Sequence, residues 1–174
     1  MSELEETWEL ALAQAERRAR ATGRRDISDY LALRKKNDLL RRTAVDWLIS
    51  VLTELAAKAN RGGAKIQIEP KDGHQFRVGS ATMVGSQLTF RCGVRTLTIE
   101  AGWPRTPRDG FVRGGGLAYA NLKHFGRPRA NAELLLVRSP NDAPQWFVLE
   151  KTGPQSLLTE ARLHDHFSIL VTES

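Results

Sequence analysis

Nine lysines and arginines against two acids lie between Arg77 and Arg129. Eight of these cations, Arg91, Arg95, Arg105, Arg108, Arg113, Lys123, Arg127 and Arg129, are candidates for binding an anionic ligand. Cations gathered on one surface attract phosphate-bearing partners, with an affinity that falls steeply as salt rises. A second basic block, residues 17–42, holds ten Lys or Arg against three acids. The ends have the opposite sign: residues 1–16 carry five Glu and no base, and residues 131–174 carry six acids against three bases. The net charge of +6 hides this separation. An alternative reading gives the same cations to the solvated faces of a helix and a half-exposed sheet.

The stretch from Gly102 to Gly116, GWPRTPRDGFVRGGG, concentrates glycine, arginine and proline around Trp103 and Phe111, two aromatics expected to be exposed. Connections of about 15 residues are longer than most in compact domains and tend to serve function or to be disordered. Gly114–Gly116 offer backbone N–H groups to an anion, ringed by Arg105, Arg108 and Arg113. The stretch matches neither a P-loop nor a dinucleotide fingerprint, since no Lys-Ser/Thr ends it and a strand pattern follows. A loose hairpin tip is the competing reading.

Four histidines, His74, His124, His164 and His166, are the candidates for proton transfer. His124, at the end of an expected strand near Lys123 and Arg127 and with Asp109 on the long loop, is the catalytic candidate, as a base with Arg113 as anion clamp; a buried His124 removes that assignment. No serine or cysteine sits in a nucleophile-elbow setting. The single cysteine, Cys92, lies in an apolar run beside Phe90 and reads as a small buried hydrophobe. The nearest approach to metal-ligand spacing is His164 with His166, so neither metal nor other cofactor is expected. No RRM aromatic pair, zinc-finger spacing or recognition helix is present.

These residues imply a non-enzymatic binding module that meets nucleic acid or an acidic protein through a basic sheet-and-loop surface. The alternatives are a small hydrolase acting on a phosphate-containing substrate, and an accessory subunit or homo-oligomer joined through its N-terminal helices. An acidic start without a basic, apolar leader and the lack of a long apolar run predict a cytoplasmic protein with no membrane partner.

The elements that must position these groups follow from length and periodicity. A chain of 174 residues, 41% hydrophobic and 26% charged, is expected to form one domain around one core. Leu4, Trp8, Leu12, Ala15 and Ala19 recur at helical spacing over residues 3–22. Asp26 then suits the N-cap of a helical stretch to about Asn60, with Trp47, Leu48, Val51, Leu52, Leu55, Ala56 and Ala59 on its apolar face and Gly62–Gly63 as terminator. The polar run from Arg34 to Asn37 leaves open one helix or two.

From Ala64 the period becomes two, predicting strands at 64–69, 74–84, 87–91, 94–101, 117–124, 133–138 and 145–150. Gly85-Ser86 and Cys92-Gly93 read as two-residue turns. The second turn pairs Phe90 with Arg95 and places Leu88, Phe90, Leu97 and Ile99 on one face; the first requires a bulge at Gly79. After Gly153-Pro154, a short helix over residues 155–163 and a final strand at 167–171 are expected. The sum is an α+β chain in two layers: a helical part at residues 1–62, an antiparallel meander at 63–152 and a tail at 153–174.

Overall fold

The computed structural model describes residues 10, 11, 13–15, 17, 18, 21, 25–141 and 143–172. The chain divides into two compact units, residues 1–40 and 41–174. In the first, the described residues between 10 and 21 are helical, and a further helix, α1 (Arg25–Arg61), begins. Most of the expected N-terminal stripe, including Leu4, Trp8, Leu12 and Ala19, and the Asp26 side chain lie outside the described residues. Arg34–Asn37 is helical, so α1 is one helix, built mostly from Ala, Leu, Lys and Arg, the strong helix formers.

In the second unit, Ala44, Val45, Leu48, Leu52 and Ala56 recur every three or four residues on α1 and are buried. Trp47, expected on this stripe, is 44% exposed, because its position falls beside the buried one. The helix ends as its glycines predict. Gly63 takes φ 104, the Gly63 N–H donates to Asn60 O at 3.1 Å, and the Ala64 N–H donates to Ala59 O at 3.0 Å. This is a Schellman cap, which satisfies the last carbonyls of the helix. The Asn60 side chain then exchanges two hydrogen bonds with the Ile66 backbone, aiming the chain into the sheet.

Seven strands follow: β1 (Gln67–Val78), β2 (Ala81–Cys92), β3 (Arg95–Trp103), β4 (Ala118–His124), β5 (Ala132–Arg138), β6 (Pro144–Val148) and β7 (Ser156–Leu157). They pair antiparallel in sequence order and form an open meander. Strand alternation sends two sets of side chains to two faces. On one face Leu88, Phe90, Leu97, Ile99, Leu122, Leu134, Leu136 and Trp146 join the buried residues of α1 and of the final helix, α2 (Glu160–Val171), in the main core. The fold is therefore α+β in two layers. Two long-range bonds fix α1 to the sheet: Trp146 Nε1 donates to Ala44 O at 3.1 Å, and Arg41 Nε donates to Leu117 O at 2.7 Å. No described helix is both long and apolar enough to cross a membrane.

The register departs from the expected turns in an instructive way. Gly85-Ser86 is not a turn: both residues lie inside β2, where Gly85 faces Gly102 and Ser86 faces Ala101. A Cβ on Gly85 would stand 1.9 Å from Ala101 O, and one on Gly102 would stand 2.5 Å from Val84 O, so these glycines serve close backbone approach. The reversal before β2 uses Gly79, at φ 59, and the bulge sits at Gly73 instead. The β2–β3 turn is Gly93-Val94, which pairs Phe90 with Leu97 and Thr89 with Thr98. That register is shifted by two residues from the expected one, so the face shared by Leu88, Phe90, Leu97 and Ile99 is preserved. The tail reverses the expected order, with strand β7 first and Phe167–Val171 inside α2. The Thr159 hydroxyl caps that helix by accepting from the Arg162 N–H at 3.3 Å.

Candidate functional site

The meander distributes the eight candidate cations over two ends of the sheet and the face opposite the helices. The Gly93-Val94 turn and the Phe125–Asn131 connection share one end, because the Phe125 N–H bonds to Thr96 O at 3.0 Å. The long β3–β4 connection lies at the other end, separated by the seven residues of β4, roughly 20 Å of strand. Arg105, Arg108 and Arg113 therefore stand apart from Arg95, Arg127 and Arg129. Arg91 and Lys123, the penultimate residues of β2 and β4, lie at the same end as Arg95, Arg127 and Arg129 but on the open face.

Most of these cations already have partners. Arg91 Nε lies 3.3 Å from Glu69 Oε1, Lys123 Nζ 3.3 Å from Glu100 Oε1, and Arg113 Nη1 4.0 Å from Glu133 Oε2. Arg95 donates to Ile169 O at 3.3 Å. Arg105 donates to Val84 O at 2.9 Å and stacks 3.8 Å above the Trp103 ring. Arg108, Arg127 and Arg129 are exposed and make no ion pair among the described residues.

The β4–β5 connection is a rigid turn. Asn131 Oδ1 accepts from the His124 N–H at 2.7 Å, Arg127 N–H donates to His124 O at 3.0 Å, and a single 3-10 turn covers Pro128–Ala130. Pro128 pre-sets the turn, and Gly126, at φ 78, provides the reversal. Along one side lies an open groove of about 480 Å³ lined by Gly126, Arg127, Pro128, Arg129, Ala130 and Ile169. Phe125, at the start of the turn, is 82% exposed.

The long connection is built otherwise. The Thr106 N–H and hydroxyl both donate to Asp109 Oδ2 at 3.1 Å. Val112 is buried with Phe76, Ala81, Met83, Tyr119 and Leu135, so the segment caps a second, smaller core on the open face. Trp103, expected to be exposed, is buried; Phe111 is exposed as expected. The glycine cradle is spent internally, since the Gly115 and Gly116 N–H groups donate to Val112 O and Arg113 O.

Sequence reasoning missed a polar network beside that core. Cross-strand pairing brings Gln87, Glu100, Asn121 and Glu133 into one row, with His74 and Tyr119 in the next. Glu100 Oε2 lies 2.6 Å from His74 Nε2, and Glu100 Oε1 accepts from Asn121 Nδ2 and Lys123 Nζ, both at 3.3 Å. Burial pushes the Glu100 carboxyl up, but the bonds from His74, Lys123 and Asn121 outweigh it and hold the group below the usual carboxylate range. Burial, and then the hydrogen bond donated to Glu133 at 2.9 Å, raise the Tyr119 phenol. The only available signal was the placement of Glu100 and Asn121 at face-alternating positions of apolar strands.

His124 is 5% exposed and faces the helices, where its Nε2 lies 2.8 Å from His166 Nδ1 in a stacked pair. Burial, the neighbouring His166 and Arg127 push its pKa down to about 4. His166 is lowered by burial and Arg162. An interior imidazole does not meet a substrate at the surface, which removes the His124 base assignment stated above. His164 points elsewhere on α2 and is exposed, and Cys92 is partly buried against the main core.

No protein-family model, curated protein or solved structure matches the chain.

Proposed function

We propose that the protein is a non-enzymatic binding module that contacts an anionic partner, nucleic acid or acidic protein, through the sheet end formed by the Phe125–Asn131 turn. The observation that carries this reading is the pair Arg127 and Arg129, exposed on one rigid turn, lining one groove and free of carboxylate partners among the described residues. Guanidinium groups presented this way bind phosphate or carboxylate oxygens in bidentate geometry. Arg113, Lys123 and Arg91, each beside a carboxylate, contribute less to a net positive surface.

Titration of labelled heparin across a salt series tests the reading. The native chain binds with an affinity that falls linearly on a log–log scale. The Arg127→Glu/Arg129→Glu variant weakens binding at least about tenfold and makes the slope shallower by about 1.5, two contacts at roughly 0.7–0.9 each. Reversal of Arg105, Arg108 and Arg113 has a smaller effect. Salt-independent binding, or no binding to any polyanion, overturns the proposal.

A second reading, an accessory subunit or homo-oligomer joined through the N-terminal helices, is favoured by Tyr30 and Leu33, exposed at helical spacing on α1. Size-exclusion chromatography with light scattering separates it from a monomeric binder.

A further inference from the structure

We propose that the anionic partner is a single-stranded nucleic acid and that the Phe125 ring is the platform on which one of its bases stacks. This inference rests on the anion-binding reading and names the partner of the same site. Phe125 has a fixed backbone and a free ring: its N–H is held by Thr96 O at 3.0 Å, yet the side chain is 82% exposed. Its neighbours His124 and Asn131 lock the turn that carries it through the 2.7 Å bond between them. With the backbone already fixed, only the torsions of the ring remain to be ordered when a planar partner arrives.

The rest of the turn matches a nucleotide in both of its chemical halves. Pro128, Ala130 and Ile169 give the groove an apolar lining suited to a base or sugar face, and Arg127 and Arg129 give it cations suited to phosphate. A volume of about 480 Å³ falls within the range of small-ligand sites. Single strands are bound without sequence preference by this combination of aromatic platform and basic groove.

Two other polyanions fit less well. A duplex keeps its base faces inside the stack and offers the ring nothing to cover. An acidic peptide gains most by pairing its main chain with a free strand edge. This turn joins β4 and β5, and both are interior strands paired on each side. No edge is available here.

Fluorescence anisotropy with short labelled oligothymidylate and oligouridylate, a duplex, inorganic polyphosphate and poly-glutamate separates these cases. The expected result is tighter binding of one or both single strands than of the other probes. Phe125→Ala weakens single-strand binding about tenfold, leaves polyphosphate unchanged, and is rescued by Phe125→Tyr. Because the ring is exposed, none of these variants threatens the fold. Because oligothymidylate and oligouridylate differ in the thymine methyl as well as the sugar, oligodeoxyuridylate measured beside oligouridylate assigns the sugar within the proposal. Equal binding of all phosphates with no effect of Phe125→Ala overturns the stacking inference and leaves the anion-binding reading standing. Preference for poly-glutamate does the same and assigns an acidic protein. Failure of every probe overturns both.

Discussion

The two ends of the sheet carry the same kinds of residue, arginine, glycine, proline and an exposed phenylalanine, and use them oppositely. At the β3–β4 end several side chains are tied back to the fold, although Arg108 and Phe111 stay exposed. Arg105 lies on Trp103, Asp109 ties back to Thr106, and Val112 fills a core. At the β4–β5 end the backbone is tied down, by Asn131 and Gly126, and the side chains of Arg127, Arg129 and Phe125 are exposed. Composition marks both segments as candidates. Arg105 and Arg113 have protein partners, whereas Arg127 and Arg129 make no ion pair among the described residues.

The largest effect that sharpens this contrast is expected from glycine. Gly85→Ala, near the root of the long connection, places a methyl 1.9 Å from the Ala101 carbonyl oxygen, and backbone on both sides cannot yield cheaply. A loss on the order of 4 kcal/mol or more is expected in chemical denaturation. Gly126→Ala meets nothing within 4 Å and incurs only the strain of φ 78, about 1 kcal/mol. Equal losses at the two glycines would break the comparison.

How much of this was legible beforehand can be argued from the same residues. The change of period at Ala64, the Gly62–Gly63 terminator and the shared face of Leu88, Phe90, Leu97 and Ile99 are local patterns, and local chemistry decides them. Gly85-Ser86 misleads because turn chemistry and close strand approach call for the same residue, and only the partner Gly102 decides between them. The apolar run Phe167–Val171 looks like a strand in isolation. Leu163, Phe167 and Leu170 at helical spacing, with Thr159 as cap, are what place it in α2. The His74–Glu100 contact joins residues 26 apart through two registers, and no short-range pattern encodes it.

The next effect in size concerns pH, and it belongs to the β4–β5 end. His124 and His166 are both lowered from the ordinary histidine range, His124 to about 4, so the fold favours neutral imidazoles. Stability from this pair is complete above the unfolded histidine pKa of about 6.5. It is lost as pH falls from there toward 4, because the unfolded chain takes up protons first. The loss is at most about 3 kcal/mol for His124. Thermal melts from pH 7.5 to 4 should show it, and His124→Gln should flatten the profile in that window. Arg127 faces His124 from the turn and Arg162 faces His166 from α2, while Asp165 opposes them. Bound phosphate at Arg127 should therefore ease the acid loss, whereas ligand at the other end should not.

The smallest effect is the most discriminating. Arg105→Ala removes a hydrogen bond to Val84 O and a stack on Trp103, together about 1–2 kcal/mol of stability, since each contact is partly exposed. Heparin affinity should change by less than about twofold beyond loss of one charge. Arg127→Ala should do the converse, lowering affinity several-fold while the melting temperature stays within the scatter of surface substitutions. One cation is held by the fold, and in the proposed reading the other is offered to a partner. If Arg127→Ala destabilises the protein as much as Arg105→Ala, the turn is a structural staple like the long loop, and the binding site must be sought elsewhere.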